Sequence, residues 1–155
     1  MKYIVIILSI FIFSCKNTEQ TTTQQEVVFK SIQSNTQSGF HEAETAVISS
    51  QEKLDEIWKQ AWSHFSDIPP VPKIDFTQNQ LLLIALGGKN NGGYGLEIDK
   101  IDEGNNEIIA NYFQTKAGAK CMTTQAIVFP YELVEIKKSS KKVTFKSIEK
   151  IVDCN

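Results

Sequence analysis

The sequence predicts an α+β fold, rich in β-structure: an antiparallel sheet or a sandwich of short strands, with one amphipathic helix at about residues 50–65 packed against it. Three observations carry this expectation. Short runs of β-branched and aromatic residues recur along the chain, separated by turn residues. A single stretch has helical period. Strand and helix signals do not alternate, which argues against a doubly wound nucleotide-binding fold.

Taken in order, Glu26–Ile32 (EVVFKSI) and Thr45–Ile48 read as strands on their β-branched content. The period then changes. Leu54, Ile57, Trp58, Ala61, Trp62 and Phe65 fall at i, i+3, i+4, i+7, i+8 and i+11, one face of an α-helix. Ser49 with Glu52 three residues on forms a capping box, and Pro69, Pro70 and Pro72 stop the helix soon after Phe65. The tryptophans, on the apolar face, are expected in the core. Gln80–Leu86 (QLLLIAL) is a continuous apolar run of the kind buried on both faces, hence a central strand. Tyr94–Ile101, Glu107–Thr115, Thr124–Phe129, Glu132–Lys137 and Val143–Ile148 complete the strands, and their close spacing implies antiparallel hairpins. Lys137, Lys138, Lys141, Lys142 and Lys146 surround a Ser-Ser turn and read as a solvated hairpin tip, with contact to an anionic membrane as the alternative.

Apolar residues at 41% and charged residues at 22% are ordinary for a folded domain. With 16 basic against 18 acidic side chains, the chain lacks the cationic excess that phosphate-backbone binding needs, so nucleic acid is not an expected partner. The first residues, MKYIVIILSIFIFSC, have a positive charge at Lys2, an apolar run from Tyr3 to Ile12 and a small residue before Cys15. This is the anatomy of a cleavable signal, and the run is short of the ~20 residues of a membrane-spanning helix. Ile12-Phe13-Ser14-Cys15 resembles the bacterial lipobox, which implies a lipid on Cys15; Phe13 departs from the usual small residue, and plain secretion is the alternative. The organisation expected is a signal at 1–14, a polar tether at 15–25 and one globular domain at 26–155. The implied location is the cell envelope, lipid-anchored to a bacterial membrane, the outer one being the first choice.

Export permits Cys121 and Cys154 to pair once Cys15 carries lipid. The alternative, a nucleophilic Cys121, would need His41 or His64 as its base, and no sequence signature joins them. Neither histidine has a second ligand at metal spacing. The carboxylates Asp67, Asp75, Glu97, Asp99, Asp102 and Glu103 form no calcium-loop pattern, and nothing points to paired carboxylates for glycoside hydrolysis. No catalytic residue, metal or cofactor is assigned.

Gly87–Gly95 (GGKNNGGYG) holds five of the chain's eight glycines. A phosphate loop or dinucleotide fingerprint would open a helix; here a strand follows. The stretch reads as a loop displaying Lys89, Asn90, Asn91, Gly92, Gly93 and Tyr94 to a partner, the alternative being a hairpin turn with Tyr94 in the core.

Asp75-Phe76 ahead of the apolar strand, the GGKNNGGYGLEI loop and strand, and Cys121 followed by Pro130-Tyr131 and Leu133-Val134 together resemble the C-terminal domain of the PrcB family, over about residues 74–145. In that family the founding member is a lipoprotein that associates with and stabilises a secreted serine protease. The resemblance implies a non-catalytic protein-binding role with a separate polypeptide, a protease or envelope protein, as partner, and adds Pro130 and Tyr131 to the contact region. Asn90-Asn91-Gly92-Gly93-Tyr94 is also similar to a loop of chagasin-type cysteine-protease inhibitors, with Phe129-Pro130-Tyr131 as the counterpart of a second loop, which implies inhibition as an alternative. A small envelope hydrolase is the remaining class.

Overall fold

The computed structural model describes residues 24–154. In chain order the elements are β1 Gln25–Glu26, β2 Lys30–Asn35, β3 Ala43–Ile48, α1 Gln51–Ala61, β4 Asn79–Leu86, β5 Tyr94–Glu103, β6 Glu107–Ala117, β7 Tyr131–Lys137 and β8 Lys142–Val152. They form two four-stranded sheets, ordered β1-β5-β6-β8 and β2-β7-β4-β3, with α1 on the outer face of the second. The fold is α+β, and the sheets pack as a sandwich.

β4 explains why three layers hold together. Alternate side chains of a strand point to opposite faces. Leu81, Leu83 and Ala85 therefore pack under α1 with Leu54, Ile57, Trp58 and Leu133. Leu82, Ile84 and Leu86 pack between the sheets with Ile98, Ile101, Ile108, Ala110 and Val134. Every residue from Leu81 to Leu86 is buried, and each large one contributes about 1.5–3 kcal/mol by leaving water. The unbroken apolar run thus serves two cores. β4 is flanked by β3 and β7, both antiparallel to it.

The helix covers its sheet as its period requires, with two corrections. Its N-cap is Ser50, not Ser49: extended backbone at Ser50 lets its hydroxyl accept from the Lys53 N–H at 3.2 Å. The third residue beyond the cap is then Lys53, so there is no capping box. The helix also stops at Ala61, where the Gly39 N–H takes the Ala61 carbonyl at 3.1 Å; Trp62 and Phe65 extend the apolar face through a turn. Trp58 lies in the core and its indole N–H donates to the Pro69 carbonyl at 2.9 Å, tying the proline segment beneath the helix.

Three strand expectations are corrected. Glu26–Ile32 is two strands, because Val27–Phe29 carries the chain from one sheet to the other. Thr124–Phe129 is not a strand: it crosses between sheets and makes a single bridge, Val128 with Lys89. Nor do β7 and β8 form a hairpin. After the Ser-Ser turn, β8 crosses to the other sheet and pairs in parallel with β6 along its whole length. The lysines at that turn are consequently not a free tip. The Lys138 ammonium donates to the Phe76 carbonyl at 2.7 Å, and that of Lys141 to the Gly104 carbonyl at 2.8 Å and to Glu103 at 2.9 Å. They clamp the crossover where backbone carbonyls would otherwise lack donors.

Candidate functional site

The glycine segment connects β4 to β5 and is held by backbone bonds on both sides. Gly87 has φ of 69°, the left-handed region, and a Cβ there would lie 2.7 Å from the Ala43 nitrogen, so the turn out of β4 has room for no side chain. The Gly88 N–H donates to the His41 carbonyl at 3.0 Å. Lys89 and Val128 exchange backbone bonds of 2.8 and 3.0 Å, and the Gly92 N–H donates to the Thr124 carbonyl at 3.0 Å. At Gly93 a Cβ would come within 2.8 Å of the Ala117 and Thr123 side chains, while the Asn91 side-chain carbonyl accepts the Gly93 N–H at 2.9 Å. The glycines allow residues 87–95 and 123–128 to lie directly against one another. Two crossing loops thereby become one surface.

Tyr94 begins β5 on the face that carries Leu96 and Ile98, the inner face of its sheet. It belongs to neither core. Its half-buried ring is flanked by two ammonium groups, Lys89 from the loop at 5.9 Å and Lys116 from β6 at 5.7 Å from the ring centroid. Asn90 and Gly92 are exposed at the loop's tip, and Asn91 and Gly93 shape its turn.

Pro130 and Tyr131 do not join this surface. Pro130 is buried, with its carbonyl accepting the Leu86 N–H at 2.9 Å, and Tyr131 is 2% exposed against Phe40 under the helix. Alternation along β7 sends Tyr131 and Leu133 to the helix side, so the aromatic ring that looked like a contact is core. Burial pushes the Tyr131 hydroxyl up to about 12. The next residue, Glu132, faces the space between the sheets; burial raises its carboxyl above the ordinary range, opposed by hydrogen bonds from the Ser31 hydroxyl and the Ile98 N–H.

What stands beside the glycine loop instead is the 118–130 segment, whose exposed apolar side chains are Met122, at 99%, and Ile127, at 59%. It also carries Phe129, against which His41 and His64 stack with ring centroids at 5.2 and 5.9 Å, the imidazoles being 5.0 Å apart. Lying 23 positions apart in sequence, the histidines are joined only because the chain before β3 passes the end of α1. Among the described residues no three His, Cys, Asp or Glu side chains gather as a metal site. Cys121 and Cys154 form a disulfide, tying the segment to the end of β8. Of the acidic side chains considered, Glu97, Asp102 and Glu103 pair with Lys150, Lys100 and Lys141, and Asp75 caps its own turn at Thr77. Cys15, the signal segment and most of the tether lie outside the described residues.

No curated protein and no solved structure matches this chain. Residues 81–137 match the family described as PrcB C-terminal. That span lies within the region of resemblance and contains both crossing loops, strands β5 to β7, and all of β4 but its first two residues. Over these residues the chain is similar to the PrcB C-terminal family.

Proposed function

We propose that this protein is an exported, lipid-anchored, non-catalytic binding module that stabilises or regulates a protease or another protein of the bacterial cell envelope. The observation that supports it is the surface made by residues 87–95 and 122–128, lying within the PrcB C-terminal span: a loop fixed by backbone bonds, with exposed Met122 and Ile127 beside Lys89 and Tyr94. A rigid loop loses little conformational entropy on association, which favours recognition. The lipid on Cys15 and the polar tether would hold the module at the membrane within reach of its partner. The chagasin-like alternative loses its second loop, since Pro130 and Tyr131 are buried and unable to enter a protease cleft.

The test is affinity capture from cell-envelope extracts with the tagged chain, comparing wild type with Tyr94→Ala and Met122→Asp. A protease or envelope protein recovered by wild type and lost in both variants supports the proposal. Recovery unchanged in both variants, or no specific protein, overturns it.

A further inference from the structure

The groove beside the glycine loop has an open strand edge along one wall and a pair of cations along the other. Among the described residues β3 pairs only with β4, and its exposed Thr45 and Val47 lie on the face turned toward the other sheet. Ala43–Thr45, Lys89 and Gln114 line a groove of about 200 Å³, and Gln114 is shared with an adjoining hollow of about 190 Å³ that holds Tyr94 and Lys116. Lys89 and Lys116, each on the Tyr94 ring, have no ion-pair partner among the described residues. The Glu44 side chain does not oppose them: alternation along β3 puts it on the helix face with Ala46 and Ile48, where it acts on Lys53. Lys150 is turned to the outer face, over Phe113 and paired with Glu97. Glu149, opposite Gln114, is the carboxylate that lines the same hollow as Lys116.

We propose that this groove binds an extended acidic segment of the protein partner, added as a strand to the free edge of β3, with carboxylates at alternate positions laid on Lys89 and Lys116. This rests on the protein-binding reading and names the partner's chemistry. Strand addition satisfies β3's outward backbone groups, and the period of two sends every second side chain of the added strand toward the lysines. The Lys89 and Lys116 ammonium groups lie 5.9 and 5.7 Å from the tyrosine ring centroid, and the bond of either to a carboxylate would be charge-assisted. The backbone groups of an open strand edge are matched by an extended peptide and not by a lipid headgroup, which favours a peptide over anionic lipid.

The probe is a synthetic alternating glutamate-threonine peptide, with a lysine-threonine peptide as control, titrated into the purified chain by fluorescence anisotropy. The glutamate peptide alone is expected to bind, about tenfold more weakly in Lys89→Gln/Lys116→Gln, as two ion pairs of about 0.7 kcal/mol each would give. Binding tightens in Glu149→Gln and slows hydrogen exchange at β3 amides. Absence of binding, indifference to the lysine substitutions, or unchanged β3 exchange overturns the inference. So does binding of phosphatidylglycerol vesicles through the same lysines when the peptide does not bind. An envelope protein captured equally by wild type and the double glutamine variant also overturns it, while leaving the proposed function intact. Peptide binding with nothing captured from the envelope has the opposite meaning.

Discussion

Replacing Gly87 by Ala tests whether the surface depends on its entry turn. Two costs arise at one atom. The backbone at Gly87 has φ of 69°, which costs an L-residue roughly 1–2 kcal/mol. The added methyl would also meet the Ala43 nitrogen at 2.7 Å and the Glu42 carbonyl carbon at 2.9 Å, backbone atoms at the start of β3 that cannot swing aside, for roughly another 1–2 kcal/mol. The expected loss is roughly 2–4 kcal/mol in equilibrium urea denaturation, with the m-value unchanged. Gly88→Ala is the control. It has no positive φ, and its methyl would meet the edge of the Phe129 ring at 3.2 Å, a side chain able to tilt, for roughly 0.5 kcal/mol or less. If the two variants lose equal stability, the turn is not held as described, and the rigidity assigned to the 87–95 surface falls with it.

Other expectations follow from the same contacts. Removing the Cys121–Cys154 bond by a double serine substitution should cost about 3–4 kcal/mol in thermal or urea unfolding, since it closes a loop with sequence separation 33; a loss under about 1 kcal/mol would show that the bond does not constrain the unfolded chain as assumed. Tyr94→Ala should lower stability by about 1 kcal/mol or less, because the ring belongs to neither core, whereas Leu83→Ala should cost about 3–5 kcal/mol; similar losses would place Tyr94 in the core after all. Glu132 has a raised pKa when folded, so the folded state holds its proton longer than the unfolded state does. Its contribution to stability is therefore full at acid pH and declines as pH rises from the ordinary glutamate value through the raised one. Glu132→Gln should remove that decline from the difference between the two pH–stability curves, and parallel curves would refute the assignment. Cys15→Ser should abolish acyl labelling and release the protein from membranes; retention would exclude the lipid tether.

The parts of the fold legible in the sequence are those where one strand or helix faces one environment. Gln80–Leu86 declared a doubly buried strand because both its faces are apolar, and the helix declared its buried face by its period. Destinations beyond a turn were not legible. Nothing local distinguishes a Ser-Ser hairpin from a crossover: the difference lies in Phe76 and Gly104, whose carbonyls Lys138 and Lys141 reach from distant points of the chain. The same limit governs the site. Lys89 and Tyr94 could be named because they share one glycine-rich loop, but Lys116 joins them only through the β5–β6 register, which sets it opposite Tyr94. Tyr131 failed for a matching reason. An aromatic residue after proline looks like a loop contact until the strand it begins is known to turn that position toward the helix. A surface read from sequence thus includes what is adjacent along the chain and omits what pairing brings across. The second lysine, which gives the groove its charge, was available only from the pairing.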